Sequence, residues 1–144
     1  MTPDLDTLRG FFASAPFMVD LGVEPVAVSD GQVTTALELK PRHLQHTGVV
    51  HAGVMAALAD HTMGAAAQTL APSGCWVLTA ELKTSMLRGA IGERLVCEGR
   101  VLKPGRSLSF TEAEVFAESA GRRTLVMKAS ATMAVANADR GAKG

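Results

Sequence analysis

The chain has 144 residues, 47% of them hydrophobic, which predicts one domain with a substantial core and leaves no room for two. Its 14 basic and 14 acidic side chains cancel, so no net charge favours binding to nucleic acid or to an anionic membrane. The cysteines, Cys75 and Cys97, lack metal-ligand spacing; they could pair, but two thiols in such a chain more often indicate a reducing compartment. The first residues lack the basic and apolar regions of an export signal, so a cytoplasmic location is expected.

Changes in hydrophobic period predict the elements of the chain. A helix, two strands, a long helix and four further strands are expected at residues 3–14, 21–29, 32–40, 51–70, 75–87, 92–102, 107–118 and 122–135. Asp30-Gly31 suits a tight hairpin turn between the first two strands. One domain is predicted over residues 1–136, followed by a frayed or disordered tail at 137–144.

The strand predicted at 75–87 alternates regularly between apolar and polar residues. Its apolar side chains are therefore expected on one face: Trp76, Leu78, Ala80, Leu82 and Met86.

The long helix predicted at 51–70 is apolar nearly all round, which is typical of a buried element. Its many alanines and glycines would let strands approach it closely. We therefore predict an α+β fold in which five or six antiparallel strands wrap around one central helix. Asp60 is the exception within this helix, because a buried carboxylate is costly unless it is hydrogen-bonded, paired or neutralised.

Three short segments around this helix resemble the signature of the hot-dog acyl-CoA thioesterases of the phenylacetate-degradation (PaaI) type. They are His46-Thr47-Gly48, His51-Ala52-Gly53-Val54 and Leu58-Ala59-Asp60. The order of the predicted elements also fits that family. The resemblance implies the hot-dog fold, an acyl-CoA substrate, and a homodimer with two composite sites that can assemble further as a dimer of dimers. Ala52 departs from the family, which has the first glycine of a pair at this position.

The resemblance also implies roles for particular residues. The backbone N–H groups near Ala52 and Gly53 would stabilise the oxyanion formed at the thioester carbonyl, and alanine retains its N–H. Asp60 would be either the nucleophile or the general base for water. The alternative is a structural role, in which the Asp60 carboxylate accepts hydrogen bonds and stabilises a dimer interface. The spacing agrees with a composite site, because Gly53 and Asp60 share one helix face at roughly 10 Å separation along the axis, so the two would act on one carbonyl from different subunits.

Four further residues stand out: Gln45, Thr79 and His51 are candidate site residues that also have a structural reading, whereas His61 is read as structural alone. By the resemblance, Gln45 would contact the thioester or the water, and Thr79 would help to place the water. Without it, Gln45 is a loop residue and Thr79 an ordinary strand residue. His51 is expected to orient the loop or cap the helix. His61 points about 100° away from Asp60, so we expect a packed or interface histidine.

No metal and no redox cofactor are expected, because coenzyme A belongs to the substrate. Its phosphates need cationic contacts, and Lys103, Arg106 and Ser107 surround a glycine turn where such groups can converge. Arg88 is a second candidate, and the alternative for the turn is a solvated hairpin.

An acyl-CoA thioester hydrolase is thus the predicted function, acting on an aryl or a short- to medium-chain acyl group. Two alternatives remain open. One is a hot-dog hydratase or dehydratase, which the spacing from His51 to Asp60 fits poorly. The other is a non-catalytic acyl-CoA binding module, for which the chain offers no DNA-binding segment.

Overall fold

The computed structural model describes residues 3–141. Its helices and strands, in chain order, are α1 (Leu5–Ala13), α2 (Pro16–Leu21), β1 (Val23–Ser29), β2 (Gln32–Glu38), α3 (Ala52–Gln68), β3 (Cys75–Met86), β4 (Arg94–Lys103), β5 (Leu108–Ser119), β6 (Arg122–Asn137) and α4 (Ala138–Gly141). A short 3-10 turn over Pro41–His43 lies in the loop before α3.

The six strands form one antiparallel sheet in the order β1-β2-β4-β5-β6-β3, and all strands except β1 pack closely on α3. This arrangement confirms the predicted α+β fold with a long central helix. The strand that follows α3 in the chain, β3, lies at the edge of the sheet and pairs only with β6.

Close contact between α3 and the sheet depends on a glycine in β4. A Cβ atom on Gly99 would lie 2.9 Å from Cγ2 of Thr62, which is too close for a side chain. Thr62 is fully buried, and its hydroxyl donates a hydrogen bond to the Leu58 carbonyl at 2.7 Å. The same hydroxyl is hydrogen-bonded to the Thr35 hydroxyl of β2 at 2.7 Å. These bonds satisfy the buried hydroxyl groups of Thr35 and Thr62.

Residues 15–20 lie outside the predicted elements, yet they contribute to the short helix α2. Pro16 occupies its first position, where the missing N–H has no consequence and the fixed φ favours a helix. Gly22 ends the helix with a left-handed φ of 91°. The predicted single N-terminal helix is therefore two helices, and the proline and glycine that delimit α2 were the available signal.

The predicted common apolar face of β3 is wrong. A β-bulge at Ala80 adds one unpaired residue and shifts the register with β6. Leu78 pairs with Ala134, whereas Leu82 pairs with Ala131. Because these two β6 residues are three positions apart, Leu78 and Leu82 lie on opposite faces of the sheet.

The tail predicted to be disordered begins inside the sheet. Strand β6 continues to Asn137, and α4 follows with the Ala138 N–H donating to the Gly74 carbonyl at 2.9 Å. Residues 142–144 lie outside the described residues.

The helix α3 is buried on one side only. Its buried residues are Met55, Leu58, Ala59, Thr62, Met63, Ala65, Ala66 and Ala67. Ala56, Asp60 and Gly64 form a half-buried stripe along another side, so the expectation of a helix buried all round does not hold for the single chain. Within residues 3–141, no helix combines the length and the apolar character that crossing a bilayer requires.

Candidate active site

Asp60 lies midway along α3 and is half-buried rather than enclosed. Its Oδ1 atom accepts a hydrogen bond of 2.6 Å from the Thr79 hydroxyl of β3. Among the described residues, no hydrogen bond reaches the second oxygen, Oδ2. The carboxylate is therefore oriented by one bond and retains an oxygen that can accept a proton or attack a carbon.

The position of Thr79 follows from the shape of β3. Thr79 pairs with Met133, which is fully buried, so the side chains of both residues lie on the helix side of the sheet. The bulge at Ala80 comes directly after Thr79, and it changes which side chains of β3 face the helix beyond this point. Leu82, past the bulge, lies beside the same carboxylate.

The amino end of α3 is capped by His51. Its Nδ1 atom accepts a hydrogen bond of 2.8 Å from the Gly53 N–H, which requires that Nδ1 itself carries no proton. A Cβ atom on Gly53 would lie only 3.0 Å from this Nδ1, so the cap favours glycine at that position. Ala52 is the first residue of the helix and is exposed, and its N–H has no partner within the helix. Ala52 rather than Gly53 therefore offers the available N–H in this structure.

The loop before α3 is a small hairpin closed by a bridge between Leu44 and Val50. Within this hairpin the side-chain amide of Gln45 donates to the Thr47 hydroxyl at 2.6 Å. The backbone N–H of Gln45 donates to the Val49 carbonyl at 2.9 Å. The Val50 N–H donates to the Ala90 carbonyl at 3.0 Å, which ties the loop to the chain beyond β3.

The structure thus divides the predicted site residues into two groups. Asp60 and Thr79 meet in the middle of α3, while Gln45, His51, Ala52 and Gly53 lie at its amino end. Ala52 and Asp60 are eight residues apart, about 12 Å along the helix axis. That separation is too long for both to contact one carbonyl group within a single chain.

The candidate phosphate ligands lie at two ends of the sheet. Arg88 follows β3 and is two residues from Ala90, which bonds to the loop before α3. Lys103, Arg106 and Ser107 lie at the β4–β5 turn, where the Ser107 carbonyl accepts from the N–H of Val135. All four are exposed, and Arg88 does not join the other three in one cluster.

His61 is half-buried beside the site. Its ring lies against Phe11 and Phe12, with centroid distances of 6.0 Å and 4.5 Å. Burial lowers the pKa of His61, and the neighbouring Asp60 charge opposes that shift. Its Nε2 atom is buried and has no hydrogen-bond partner within the described part of the chain. The ring is therefore neutral at pH 7 and is poorly placed for proton transfer.

A second histidine, which the sequence did not single out, supports the loop. His43 is 2% exposed; its Nδ1 accepts from the Lys40 N–H at 2.9 Å, and its Nε2–H donates to the Leu21 carbonyl at 2.7 Å. Both ring nitrogens are satisfied, which marks a structural residue.

An apolar concavity of about 310 Å³ opens beside Asp60. It is lined by Ala15, Phe17, Met18, Ala56, Ala57, Asp60, His61 and Leu82. The residues from α2 were missed because α2 itself was not predicted.

Residues 47–130, more than half of the chain, match the family model of the Thioesterase superfamily. The chain therefore belongs to the Thioesterase superfamily. The six-stranded sheet around α3 is the hot-dog fold that the sequence segments implied.

Three relatives illustrate the similarity. A candidate esterase of Caenorhabditis elegans, F42H10.6, is 31% identical over 102 residues, which cover 69% of this chain and 59% of that protein. The chain thus spans less than two thirds of this curated relative. A thioesterase family protein from Silicibacter pomeroyi is 30% identical, with a TM-score of 0.88 over 92% of this chain and 97% of that one. The E. coli PaaI protein from the phenylacetic acid degradation operon shares the fold, with 14% identity and a TM-score of 0.79 over 90% of each chain.

Proposed function

We propose that this protein hydrolyses the thioester bond of an acyl-CoA and releases the free acid and CoA. The observation that carries this proposal is the oriented carboxylate of Asp60, which has one oxygen bonded to Thr79 and one oxygen free. The segments shared with the PaaI type support that subfamily and an aryl or short- to medium-chain acyl group.

Two groups supply the chemistry. Asp60 either removes a proton from the attacking water or attacks the carbonyl carbon itself. The carbonyl oxygen becomes an oxyanion in both routes, and the free Ala52 N–H with the positive end of α3 stabilises it. The C–S bond then breaks, and the sulfur leaves as the CoA thiolate, which takes up a proton. In the nucleophilic route this step leaves the acyl group on Asp60 as a mixed anhydride, which water then hydrolyses to the free acid and the Asp60 carboxylate. Single turnover in ¹⁸O-labelled water identifies the nucleophilic route when water attacks the Asp60 carbon of that anhydride, because only then does label remain in the Asp60 side chain.

A homodimer completes the site. The 12-residue edge strand β3 has a free edge, and two of its residues beside that edge, Trp76 and Leu78, are 51% and 59% exposed. The half-buried stripe of Ala56, Asp60 and Gly64 adds small residues that a second α3 can approach. Two copies packed with antiparallel α3 helices would bring the Asp60 of one chain to the Ala52 of the other.

In such a dimer the cationic residues serve different halves of the site. Arg88 lies with the loop and the amino end of α3, whereas Lys103 and Arg106 lie with the β4–β5 turn. We propose that they bind CoA phosphates from the two subunits. Changing Arg88 or Arg106 to alanine should raise KM for acyl-CoA but not for the same acyl group on N-acetylcysteamine, which has no phosphate. Equal increases for both substrates would remove the residue from the phosphate site.

Two dimers can join through an apolar patch on the outer face of the sheet. Leu78, Ala134 and Leu108 form one row across β3, β6 and β5, and Phe110 lies on the same face. Leu78, Leu108 and Phe110 are between 43% and 59% exposed. Leu108→Asp should convert tetramers to dimers in light scattering without loss of activity, and a tetramer that survives this change would use another face.

Release of free thiol from a panel of acyl-CoAs tests the activity. A hydrolase frees CoA in equal amount to the acid, a hydratase changes the acyl chain and leaves the thioester intact, and a binding module does neither. Mass analysis of the products distinguishes the three. No thiol release from aryl, short-chain or medium-chain acyl-CoA would overturn the proposed function.

A further inference from the structure

The apolar concavity beside Asp60 is built largely by segments that take no part in the chemistry. The N-terminal helices contribute Ala15, Phe17 and Met18, and α3 contributes the small side chains of Ala56 and Ala57. Among the described residues, Asp60 and His61 are the only ionisable ones in its lining, and no Lys or Arg is among them. Burial lowers the pKa of His61, so its neutral ring adds to the apolar surface.

The helix α2 presents Phe17 to this concavity by anchoring the next residue. Met18 is 5% exposed and belongs to the core, whereas Phe17 is 61% exposed at the concavity. Pro16 and Gly22 fix the two ends of α2, so Phe17 is held by a short rigid element. A large aromatic side chain left exposed in a concave apolar surface is typical of a ligand contact.

We infer that α2 is the acyl-selecting wall of the site and that Phe17 is its principal contact with the acyl group. This inference rests on the proposed thioesterase function and adds the substrate class, which is an uncharged, apolar acyl group longer than acetyl. The acyl carbon that reacts lies at Asp60, and the rest of the chain extends over Ala56 and Ala57 towards Phe17.

The lining also determines what the pocket rejects. An acyl chain that ends in a carboxylate would place a second negative charge in an apolar site near Asp60. Within residues 3–141 the lining offers no cation to compensate, so both desolvation and repulsion oppose binding. Hexanoyl-CoA and adipyl-CoA form a matched pair, because they have the same chain length and differ in the terminal carboxylate.

The experiment compares Phe17→Ala with Val19→Ala. Val19 is 54% exposed on the same helix but borders a different concavity, which makes it a matched control. Phe17→Ala should lower kcat/KM for hexanoyl-CoA by about tenfold and leave acetyl-CoA within about twofold, because the loss of apolar contact affects only the longer chain. Val19→Ala should change neither substrate. Phe17→Lys should shift the preference from hexanoyl-CoA to adipyl-CoA.

Equal losses for acetyl-CoA and hexanoyl-CoA, or no loss for either, would overturn the role of α2 while leaving the hydrolase in place. Binding provides an independent readout that does not depend on turnover. In an Asp60→Asn background, hexanoyl-CoA should bind more tightly than CoA, and Phe17→Ala should remove about tenfold of that advantage in calorimetry. An unchanged advantage would also reject the inference, whether or not the parent protein hydrolyses acyl-CoA.

Discussion

Two polar pairs join α3 to the sheet, and they differ in how completely they are closed. Asp60 bonds to Thr79 of β3 at 2.6 Å, and Thr62, two residues later on the other side of the helix, bonds to Thr35 of β2 at 2.7 Å. Thr35 and Thr62 are fully buried and both have partners. Asp60 is half-buried and keeps one oxygen without a partner among the described residues.

On the proposed function, the difference separates a structural pair from a functional one. A buried polar group that serves stability has its hydrogen bonds satisfied, because each missing bond costs free energy. The carboxylate of Asp60 is oriented but not saturated, and the strand it contacts lies at the edge of the sheet. Changing each pair should therefore affect a different property of the protein.

The largest expected effect comes from Asp60→Asn. The amide retains the shape and can still bond to Thr79, but it is neither a base nor a nucleophile. We expect kcat to fall by a factor of about 100 or more while the dimer and the thermal midpoint are retained. Stopped-assay thiol release and size-exclusion chromatography measure the two properties. Turnover within about threefold of the parent would make Asp60 a structural residue like Thr62.

The next effect tests whether Asp60 of one subunit acts together with Ala52 of the other. Ala52→Pro removes only the available N–H, because proline suits the first position of a helix and His51 has an extended ψ of 135° that proline accepts after it. Ala52→Pro and Asp60→Asn should each be inactive alone. In randomly mixed dimers, half are mixed and each has one intact site, so activity should return to about a quarter of the parent.

Ala52→Gly is the control for the mixed dimers, because it retains the N–H and should retain activity. Circular dichroism must first show that Ala52→Pro is folded. Verified mixed dimers without activity above either parent variant would place the whole site within one chain.

A smaller effect is expected at Thr79, which acts by positioning Asp60. Thr79→Val preserves the shape of the strand residue but removes the hydrogen bond to Oδ1, so kcat should fall by about tenfold with little change in KM. Thr79→Ser keeps the hydroxyl and should restore most of the activity. Retained activity in Thr79→Val together with lost activity in Thr79→Ser would instead show that the methyl group, and not the hydrogen bond to Asp60, is what matters.

These residues also show how far sequence could predict the site. Asp60 was identifiable because a lone carboxylate interrupts an apolar helical pattern, and the helix itself follows from periodicity. Its bond to Thr79 could not be derived in that way, since it depends on the β3–β6 register and on the bulge at Ala80, which regular alternation does not reveal. The resemblance supplied Thr79 where the pattern alone gave an ordinary strand residue.

The fold was more predictable than the lining of the site. Local signals such as Asp30-Gly31 fixed the hairpin, and the period of the strands fixed the order of the elements. The short helix α2 was missed because six residues are too few for a periodic pattern, although Pro16 and Gly22 mark its ends. His43 is likewise invisible in sequence, because its role depends on tertiary contacts with the Leu21 carbonyl and the Lys40 N–H.

Changes to the buried pair of Thr35 and Thr62 should affect stability rather than turnover, the opposite of changes to Asp60 and Thr79. Thr62→Val leaves the buried Thr35 hydroxyl without its side-chain partner, which should lower the free energy of unfolding by about 1–3 kcal/mol and leave kcat within about twofold. Replacing both threonines by valine removes both polar groups and should recover most of the loss. Urea unfolding of the single and double variants measures the effect. A large loss of turnover in Thr62→Val would show that the two sides of α3 are not independent.

The smallest effect concerns His61, which lies between Asp60 and Thr62 in the chain. Burial lowers its pKa below the ordinary value of 6.5, so at acidic pH the unfolded chain binds a proton more readily than the folded one. Stability should therefore be unaffected by this group above pH 7 and should decline as the pH falls through 6.5 towards the lower folded pKa.

His61→Phe removes the titrating ring but keeps an aromatic packed against Phe11 and Phe12. The variant should lose less stability than the parent between pH 7 and pH 5, with turnover retained at pH 8. The Asp60 charge partly opposes the shift, so the same comparison in an Asp60→Asn background should show a larger difference. Identical pH profiles for His61→Phe and the parent in thermal unfolding would mean that the ring takes up its proton in the folded protein as easily as in the unfolded chain.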